Sequence, residues 1–324
     1  MSTIFAFYYP WWGAPPISSQ YVHWNNGNPN RAWDHIGSTY FPGLDPYDSG
    51  DTAVLTKHMA QMKSAGVDVV MASWWGAGSF EDSKVVAILE AAAAAELQVS
   101  FMIEPYWTSQ AQLADDIVYL HHQYGEHPAV LRLVRPTLYG PSNEPRMLIG
   151  IYSPPMVVGP VLDSMRGTVY DSIFLVRGDD SRLLSDVRIR EALTGWLHAD
   201  GMFNYGSYSY PAQLPASPDY IAMFCATPGF DDSRKAGVTT PTVLPRDGFA
   251  HYDAMWAPLA AQKVELAAVC SFNEWHEGTQ IEPAKPHHIG WWFSRYDYQN
   301  YGPLARDAYL TRTAYWASLL KAAP

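Results

Sequence analysis

The stretch TAVLTKHMAQMKSAGVDVVMASWW, residues 52–75, contains the pattern that decides the fold. In its first part, residues 52–65, apolar side chains recur at the spacing of one face of a helix, and Gly66 follows as a helix-ending residue. Its second part, residues 67–75, is an apolar run that ends in two tryptophans. A helix followed directly by a buried strand is the repeating unit of a parallel sheet.

The same alternation recurs along the whole chain. Eight apolar runs predict strands at residues 4–9, 67–75, 98–106, 146–152, 172–178, 201–206, 219–227 and 265–273. Helical patterns lie between or after them at residues 52–65, 81–97, 111–124, 157–166, 181–193, 248–262 and 304–321. This alternation predicts an α/β fold, a single (β/α)8 TIM barrel over residues 1–324, with its active site at the C-terminal ends of the strands.

An open doubly wound sheet is the structural alternative to the barrel. That fold would place a glycine-rich phosphate-binding turn after an early strand. The one candidate, GAGSF at residues 76–80, lacks the third glycine of that motif. The barrel is therefore the preferred interpretation, with one catalytic domain and no linker.

Composition excludes several classes of partner. The 324 residues carry a formal net charge of −11 and no run rich in lysine and arginine, which argues against nucleic acid and anionic membranes. Cys225 and Cys270 provide neither a disulfide framework nor a zinc-site spacing. The histidines are scattered, so no metal or other cofactor is expected.

The N-terminal sequence bears on localisation. MSTIFAFYYPWW has no basic segment followed by a long apolar one, so no signal peptide is visible. The expectation is a cytoplasmic protein, or a secreted or periplasmic one whose signal has been removed. No stretch offers about 20 uncharged apolar residues, so no membrane span is expected.

Aromatic residues and acids follow most of the predicted strands. The chain has 13 Trp and 21 Tyr, and flat aromatic faces with polar edges suit the surfaces of sugars. Because the ends of parallel barrel strands meet on one rim, these side chains should converge there. The residues concerned are Tyr8, Tyr9, Trp11, Trp12, Trp74, Trp75, Glu104, Tyr106, Trp107, Asn204, Tyr205, Asp231, Asp232, Arg234, Asn273, Glu274, Trp275, His276 and Glu277.

Three acids are placed to act in glycosidic bond cleavage, which needs one group to protonate the leaving oxygen and a second as base or nucleophile. They are Glu104, Glu274 and Glu277; the alternative is that each only caps a loop. Glu282 is expected to be structural. Asp231 and its neighbour Asp232 are expected to pair with Arg234 rather than to do chemistry.

The segment SFNEWHEGTQIEP, residues 271–283, resembles the signature of glycoside hydrolase family 99, the endo-α-mannosidases and endo-α-1,2-mannanases. The resemblance continues through most of the chain, in order, in FYYPWWG, YVHWN, YDSGD, HMAQMKSAGVDVVMASWWG, IEPY, DGMFNYGSY and PGFDDSR. The resemblance implies a (β/α)8 barrel and a retaining, endo-acting hydrolase for α-mannosidic or related α-linked bonds. It also implies an oligosaccharide or polysaccharide as the substrate.

The resemblance also implies roles for individual residues. Glu274 would act as base on the sugar 2-hydroxyl, which attacks its own anomeric carbon to give a 1,2-anhydro sugar. Glu277 would protonate the leaving oxygen and later deprotonate water. The candidate substrate contacts are Tyr8, His23, Trp24, Trp74, Trp75, Glu104, Tyr205, Asp231, Arg234, Trp275 and His276. For His23, a substrate contact and a packed loop residue are both open.

Two other functions stay open. One is a glycan-binding or surface-polysaccharide assembly protein on the same barrel, which would have no need of the intact pair of acids. The other is an α-glycan hydrolase of different sugar specificity with a protein nucleophile, using Glu104 and Glu277. A separation of roughly 5–5.5 Å between carboxyl groups would favour that mechanism. The connections after strands one and six look trimmed relative to the family, which leaves the exact glycan open.

Overall fold

The computed structural model describes residues 2–24, 33–139, 143–152, 157–178, 185–205, 209–211, 213–291 and 294–322. Its centre is a closed barrel of eight parallel strands. They are β1 Thr3–Tyr8, β2 Val69–Trp74, β3 Gln98–Ile103, β4 Arg146–Ile151, β5 Ile173–Arg177, β6 Gly201–Phe203, β7 Ile221–Ala226 and β8 Leu266–Val269. Strand β8 pairs with both β7 and β1, and β3 pairs directly with β4, so the sheet has no free edge. The predicted TIM barrel is confirmed.

Helices lie between the strands on the outside of the barrel. In the described part of the chain they are α1 Thr52–Ser64, α2 Val85–Ala94, α3 Gln110–Tyr124, α4 Gly159–Met165, α5 Asp186–Ala192, α6 Ala250–Gln262 and α7 Ala308–Lys321. Side-chain caps fix several of the first turns: Asp51 accepts from the Ala53 and Val54 amides of α1, and Ser109 accepts from the Gln112 amide of α3. Between β6 and β7 the described residues form no α-helix, in keeping with the irregular connection predicted there.

The largest differences from the predicted helix boundaries are at the second and the last helix. The pattern at residues 81–97 becomes a short 3₁₀ turn, Asp82–Lys84, followed by α2, which ends at Ala94. The last helix begins at Ala308 rather than at 304, since residues 302–307 form turns, with Gly302 at a left-handed φ of +66°. Residues 181–184 of the predicted fifth helix lie outside the described residues.

Each strand presents its side chains alternately to two apolar surroundings. In β1, Phe5 and Phe7 point to the barrel interior, as does Tyr9 just after it, whereas Ile4 and Tyr8 pack against the helices. We call these directions the inner side and the outer side of the barrel wall. Because both sides are buried, the strand sequences are apolar throughout instead of alternating. The described residues contain no helix long and apolar enough to cross a membrane.

Candidate active site

The loop after β8 carries two acids at the open end of the barrel. Two backbone hydrogen bonds join the two ends of this loop. The Ser271 amide donates to the Thr279 carbonyl (3.0 Å), and the Ile281 amide donates to the Ser271 carbonyl (2.9 Å). The Ser271 hydroxyl also accepts from the Glu274 amide at 2.8 Å. The short excursion between these bonds therefore has little freedom, and it holds Glu274 and Glu277 in one place.

Glu274 is the more enclosed of the two acids. Its exposed fraction is 2%, and its carboxyl Oε1 accepts from the His276 amide at 2.9 Å. Burial, followed by the negative charge of Glu277, raises the pKa of Glu274 well above its ordinary value, and Lys235 opposes the rise. Enclosure by the protein is thus the main cause of this rise.

Glu277 keeps contact with solvent and with polar partners. Its side chain is 21% exposed, and Oε1 lies 3.8 Å from the Lys235 ammonium. The Tyr205 hydroxyl donates to Oε2 at 3.3 Å. Burial raises the pKa of Glu277 as well, while Lys235 and the Tyr205 hydrogen bond hold it down. Two neighbouring carboxyl groups with unlike surroundings are the arrangement that acid/base catalysis requires.

A third acid, Glu104, lies just after β3 on the inner side. Only 4% of it is exposed, and its carboxyl accepts from the buried Ser73 hydroxyl at 2.7 Å. Burial raises the pKa of Glu104 to about 8, with a further contribution from Glu277 and an opposing one from Arg177. Glu104 is therefore protonated at neutral pH and can donate a hydrogen bond.

A chain of tyrosine hydroxyls leads to Glu277. The Tyr9 hydroxyl donates to the Tyr205 hydroxyl at 2.6 Å, and Tyr205 donates onward to Glu277. Burial and the surrounding carboxyl groups raise the pKa of Tyr9, so both tyrosines stay neutral donors. The Tyr152 ring meets Tyr205 edge-on at 5.3 Å, and the Arg177 guanidinium lies 4.6 Å above the Tyr152 ring. Together these groups form the floor of the site.

Half-buried aromatic rings form one rim of the site. The Trp11 ring lies 4.6 Å from Tyr9 and 5.2 Å from His23, with which it stacks. Trp75 continues the row at 6.4 Å from Trp11 and 6.2 Å from Tyr106, and its indole N–H donates to the Ser73 hydroxyl at 3.2 Å. Rings that are packed on one face and open on the other can stack on sugar rings.

His276 lies at the rim beside the two acids. Its ring meets Trp12 edge-on at 4.9 Å. Burial lowers the pKa of His276 to about 3, and His23 contributes in the same direction. The imidazole is therefore uncharged at neutral pH, and it lines the site as a polar group rather than as a cation. No group of three or more metal-binding side chains occurs among the residues that the structure describes.

Four predicted substrate contacts point away from this site. Tyr8, Trp24, Trp74 and Trp275 are completely buried. Tyr8 contacts the His58 imidazole (3.1 Å), Trp24 donates to the Tyr47 carbonyl (2.7 Å), Trp74 to Asp82 (2.8 Å), and Trp275 to Glu282 (3.0 Å). All four lie on the outer side, where helices or loops cover them. The structure therefore places these four residues outside the candidate site; for Tyr8 and Trp74 the reason is that adjacent residues at a strand end face opposite sides.

The segment after β7 has a supporting role that differs from the prediction. The Asp231 carboxylate accepts from the amide and hydroxyl of Ser233, and its amide donates to the Glu277 carbonyl at 2.7 Å. Arg234 lies 3.6 Å above the Tyr296 ring and donates to the Ile36 carbonyl. In the described part of the chain, no ion pair joins Arg234 to either aspartate, so the expected pairing is wrong. Asp231 supports the backbone of Glu277 instead.

The structure thus brings together most of the predicted site. Seven of the named residues meet at the open end of the barrel: His23, Trp75, Glu104, Tyr205, Glu274, His276 and Glu277. Tyr9 and Trp11 were expected at the rim but not among the substrate contacts, and Ser73, Tyr152, Arg177 and Lys235 were not singled out from the sequence. Tyr9, Tyr152 and Arg177 lie at strand ends, where counting alternate residues from the strand interior could have indicated them. Lys235 comes from a loop and has no such signal.

Comparison with known proteins found relatives over nearly the whole chain. The sequence profile of glycosyl hydrolase family 99 matches residues 2–322. A glycoprotein endo-alpha-1,2-mannosidase-like protein from Danio rerio is 30% identical over 97% of this chain and 77% of its own length. The glycoprotein endo-alpha-1,2-mannosidase of Rattus norvegicus is 29% identical over 97% of this chain and 74% of its own.

A solved structure has the same architecture. The family 99 endo-α-mannosidase from Bacteroides thetaiotaomicron, in complex with Bis-Tris propane, is 28% identical, with a TM-score of 0.80 over 98% of this chain and 97% of that one. The match therefore covers the barrel and the loops that carry the acids. The chain belongs to glycosyl hydrolase family 99, and it is a glycoside hydrolase on a (β/α)8 barrel.

Proposed function

We propose that this protein is a retaining, endo-acting glycosidase that cleaves internal α-mannosidic bonds in an oligosaccharide or polysaccharide. Residues 1–324 would act as one catalytic domain. The observation that carries the proposal is the pair Glu274 and Glu277, held by one closed loop in unlike surroundings. The relatives named as endo-alpha-1,2-mannosidases support mannose as the sugar.

The stereochemistry of mannose fits a mechanism with no protein nucleophile. In an α-mannoside the 2-hydroxyl and the bond to the leaving group are both axial and lie on opposite faces of the ring. The 2-oxygen can therefore attack C1 from behind the bond that breaks. An α-glucoside has its 2-hydroxyl on the same face as the leaving group, so this attack is closed to it.

In the first step the Glu274 carboxylate takes the proton of the 2-hydroxyl, and O2 forms a bond to C1. The bond from C1 to the leaving oxygen breaks, and the Glu277 carboxylic acid gives that oxygen a proton. In the second step water attacks C1, the C1–O2 bond of the anhydro sugar breaks, and the protons return by the reverse route. Two inversions at C1 give overall retention.

These two steps require a protonated Glu277 and an ionised Glu274 at the start of the reaction. A bound mannoside would change both environments. Its 2-hydroxyl would donate to Glu274 and favour the ionised form, and its ring would cover the exposed part of Glu277 and favour the protonated form. Binding would thus prepare the acid and the base together.

Glu104 would bind substrate rather than attack it. A nucleophile must be ionised, and burial holds Glu104 protonated at neutral pH. As a neutral acid beside Ser73 it can donate to a sugar oxygen. Trp11 and Trp75 would stack on sugar rings away from the bond that breaks.

The test is hydrolysis of α-1,2-linked mannan and of glucosylated mannose oligosaccharides by the wild-type protein. We expect internal cleavage, with the α-anomer of the product appearing first by proton NMR. A 2-deoxy analogue of a cleaved substrate should not be turned over, because it lacks the attacking oxygen. Turnover of the 2-deoxy analogue through a covalent glycosyl-enzyme would contradict the anhydro-sugar step but not the glycosidase assignment. Failure to cleave any α-mannoside would reject mannose as the substrate.

A further inference from the structure

A fully buried carboxylate lies behind the loop that carries the two acids. Glu282 is completely buried, and its side chain lies against α1, on the outer side of the wall. Its Oε2 accepts from the Tyr47 hydroxyl at 2.7 Å and from the Trp275 indole N–H at 3.0 Å. Its Oε1 lies 3.2 Å from Nε2 of His58, which is also completely buried. We call Glu282, Tyr47, His58 and Trp275 the Glu282 cluster.

The hydrogen-bond partners indicate why this position holds an acid. Nδ1 of His58 lies 3.1 Å from the Tyr8 hydroxyl. If Nδ1 accepts from Tyr8, then Nε2 carries the proton and donates to Glu282. All three partners of Glu282 are then donors, and only a carboxylate offers acceptors on both oxygens. An amide here would turn its NH2 group toward at least one donor.

The hydrogen bonds of the cluster include the side chains of both sequence neighbours of Glu274. On one side Trp275 is held by Glu282 directly. On the other, the Asn273 amide group donates to the Tyr47 hydroxyl at 3.3 Å and to the Tyr9 carbonyl at 3.0 Å, and accepts from the Tyr9 amide at 2.7 Å. Both sequence neighbours of Glu274 are therefore fixed to buried groups, while its own carboxyl points to the inner side.

The same bonds reach Glu277 by a second route. Asn273 holds the backbone of Tyr9, and the Tyr9 hydroxyl donates to Tyr205, which donates to Glu277. Glu282 itself does not approach the site, because its oxygens are covered by the cluster. Its hydrogen bonds reach either acid through the loop and through this chain.

We propose that Glu282 is a positioning residue that fixes the relative placement of the Glu274 and Glu277 carboxyl groups. This inference rests on the proposed function, since it assigns Glu282 to the same reaction. The groups that titrate or carry charge around Glu282 are Tyr8 of β1, Tyr47 of the loop before α1, and His58 of α1. Around the acid pair they are Tyr9, Glu104, Arg177, Tyr205, Asp232, Lys235 and, beside it, Cys270.

The test compares Glu282→Gln with Asp82→Asn, a matched change in another buried carboxylate. Asp82 accepts from the Trp74 indole (2.8 Å), the Tyr124 and Tyr119 hydroxyls (2.7 and 2.8 Å) and the Gly78 amide (2.8 Å). Among the described residues, no hydrogen bond of the Asp82 carboxylate reaches the acid pair. Both variants should lose thermal stability. Only Glu282→Gln should also lower kcat, by about tenfold to a hundredfold with KM little changed, because displaced catalytic groups lose their geometry.

A second readout does not depend on turnover. Two interacting acids lose their protons in two steps, and the spacing of the steps depends on the distance between the acids. In 13C NMR of glutamate carboxyl carbons, Glu282→Gln should change that spacing and Asp82→Asn should not. The pH limits of kcat should move in the same way. If the wild type cleaved no α-mannoside, the proposed function would fail while the titration still tested the positioning.

Two results would overturn the inference. One is a Glu282→Gln protein that loses stability but keeps the wild-type kcat and carboxyl titration. The other is an equal loss of kcat in both variants, which would indicate a general effect of buried-carboxylate removal. If Glu282→Gln does not fold, Tyr47→Phe removes one donor from the cluster and should give a smaller change of the same kind; unchanged kcat and titration there would reject the proposal.

Discussion

The inner and outer sides of the barrel wall use the same kinds of residue for different purposes. On the inner side, Trp75 is half-buried with its indole beside Ser73 and Glu104. One position earlier, on the outer side, Trp74 is completely buried and bonded to Asp82. The loop after β8 repeats this division, since Glu274 faces inward and Trp275 faces outward, where it is part of the Glu282 cluster. Strand alternation thus separates the groups for chemistry from the groups that hold them.

The largest expected effect lies on the inner side, at the acids themselves. Glu277→Gln and Glu274→Gln should each lower kcat/KM for an α-mannan by a hundredfold or more, since each removes a proton-transfer step. Their melting temperatures should equal or exceed that of the wild type, because burial already disfavours both charges. Activity above a tenth of wild type in either variant would contradict the assignment of that acid.

The neighbouring tryptophans offer a matched comparison of the two sides. Trp74→Leu should lower the free energy of unfolding by about 2–4 kcal/mol, through lost packing and a lost hydrogen bond to Asp82. Trp75→Leu should cost much less stability but raise KM severalfold, because a stacking surface for sugar is lost. Denaturant unfolding and steady-state kinetics on both proteins would measure this. A larger KM effect from Trp74→Leu would reverse the comparison.

Glu104 allows a test by pH. In the folded protein its pKa is about 8, above the ordinary 4.5, so the folded state binds this proton more tightly than the unfolded chain. Its stabilising contribution is complete below pH 4.5 and is lost as pH rises to about 8. As the pH increases from 5 to 8, the melting temperature of Glu104→Gln should therefore rise relative to that of the wild type. A constant difference across this range would contradict a buried, protonated Glu104.

The smallest expected effect concerns the chain of tyrosine hydroxyls. Tyr9→Phe removes the donor to Tyr205 and should shift one pH limit of kcat by less than about one unit, with a loss of activity of a few fold. Tyr252→Phe is the matched control, since its hydroxyl contacts Thr313 at 2.8 Å in the outer layer, between α6 and α7. That variant should change only the melting temperature. Identical pH profiles for Tyr9→Phe and the wild type would exclude a role for this chain in the proton balance.

The sequence predicted the strands and helices of the barrel, but not which residues face the inner side of its wall and which face the outer side. Eight apolar runs and the helical patterns between them were enough to predict the barrel, because the spacing of apolar residues is a local property of the chain. The acids after strands three and eight could be located for the same reason. The sequence could not show which side of the barrel wall each strand-end residue faces. Both sides are apolar, so the residue types do not distinguish them. Tyr8 was therefore chosen where Tyr9 faces the site.

What the sequence by itself determined is the order of strands and helices, the rim on which Glu104, Glu274 and Glu277 gather, and the family that this pattern resembles. Only the tertiary structure decided the environment of those acids. Asn273 meets the backbone of Tyr9, and Glu282 meets His58, across 264 and 224 positions of the chain. The proton affinity of a carboxyl group depends on burial and on charges within a few ångströms. These groups come together only when the barrel closes, so a local sequence pattern cannot predict their contacts.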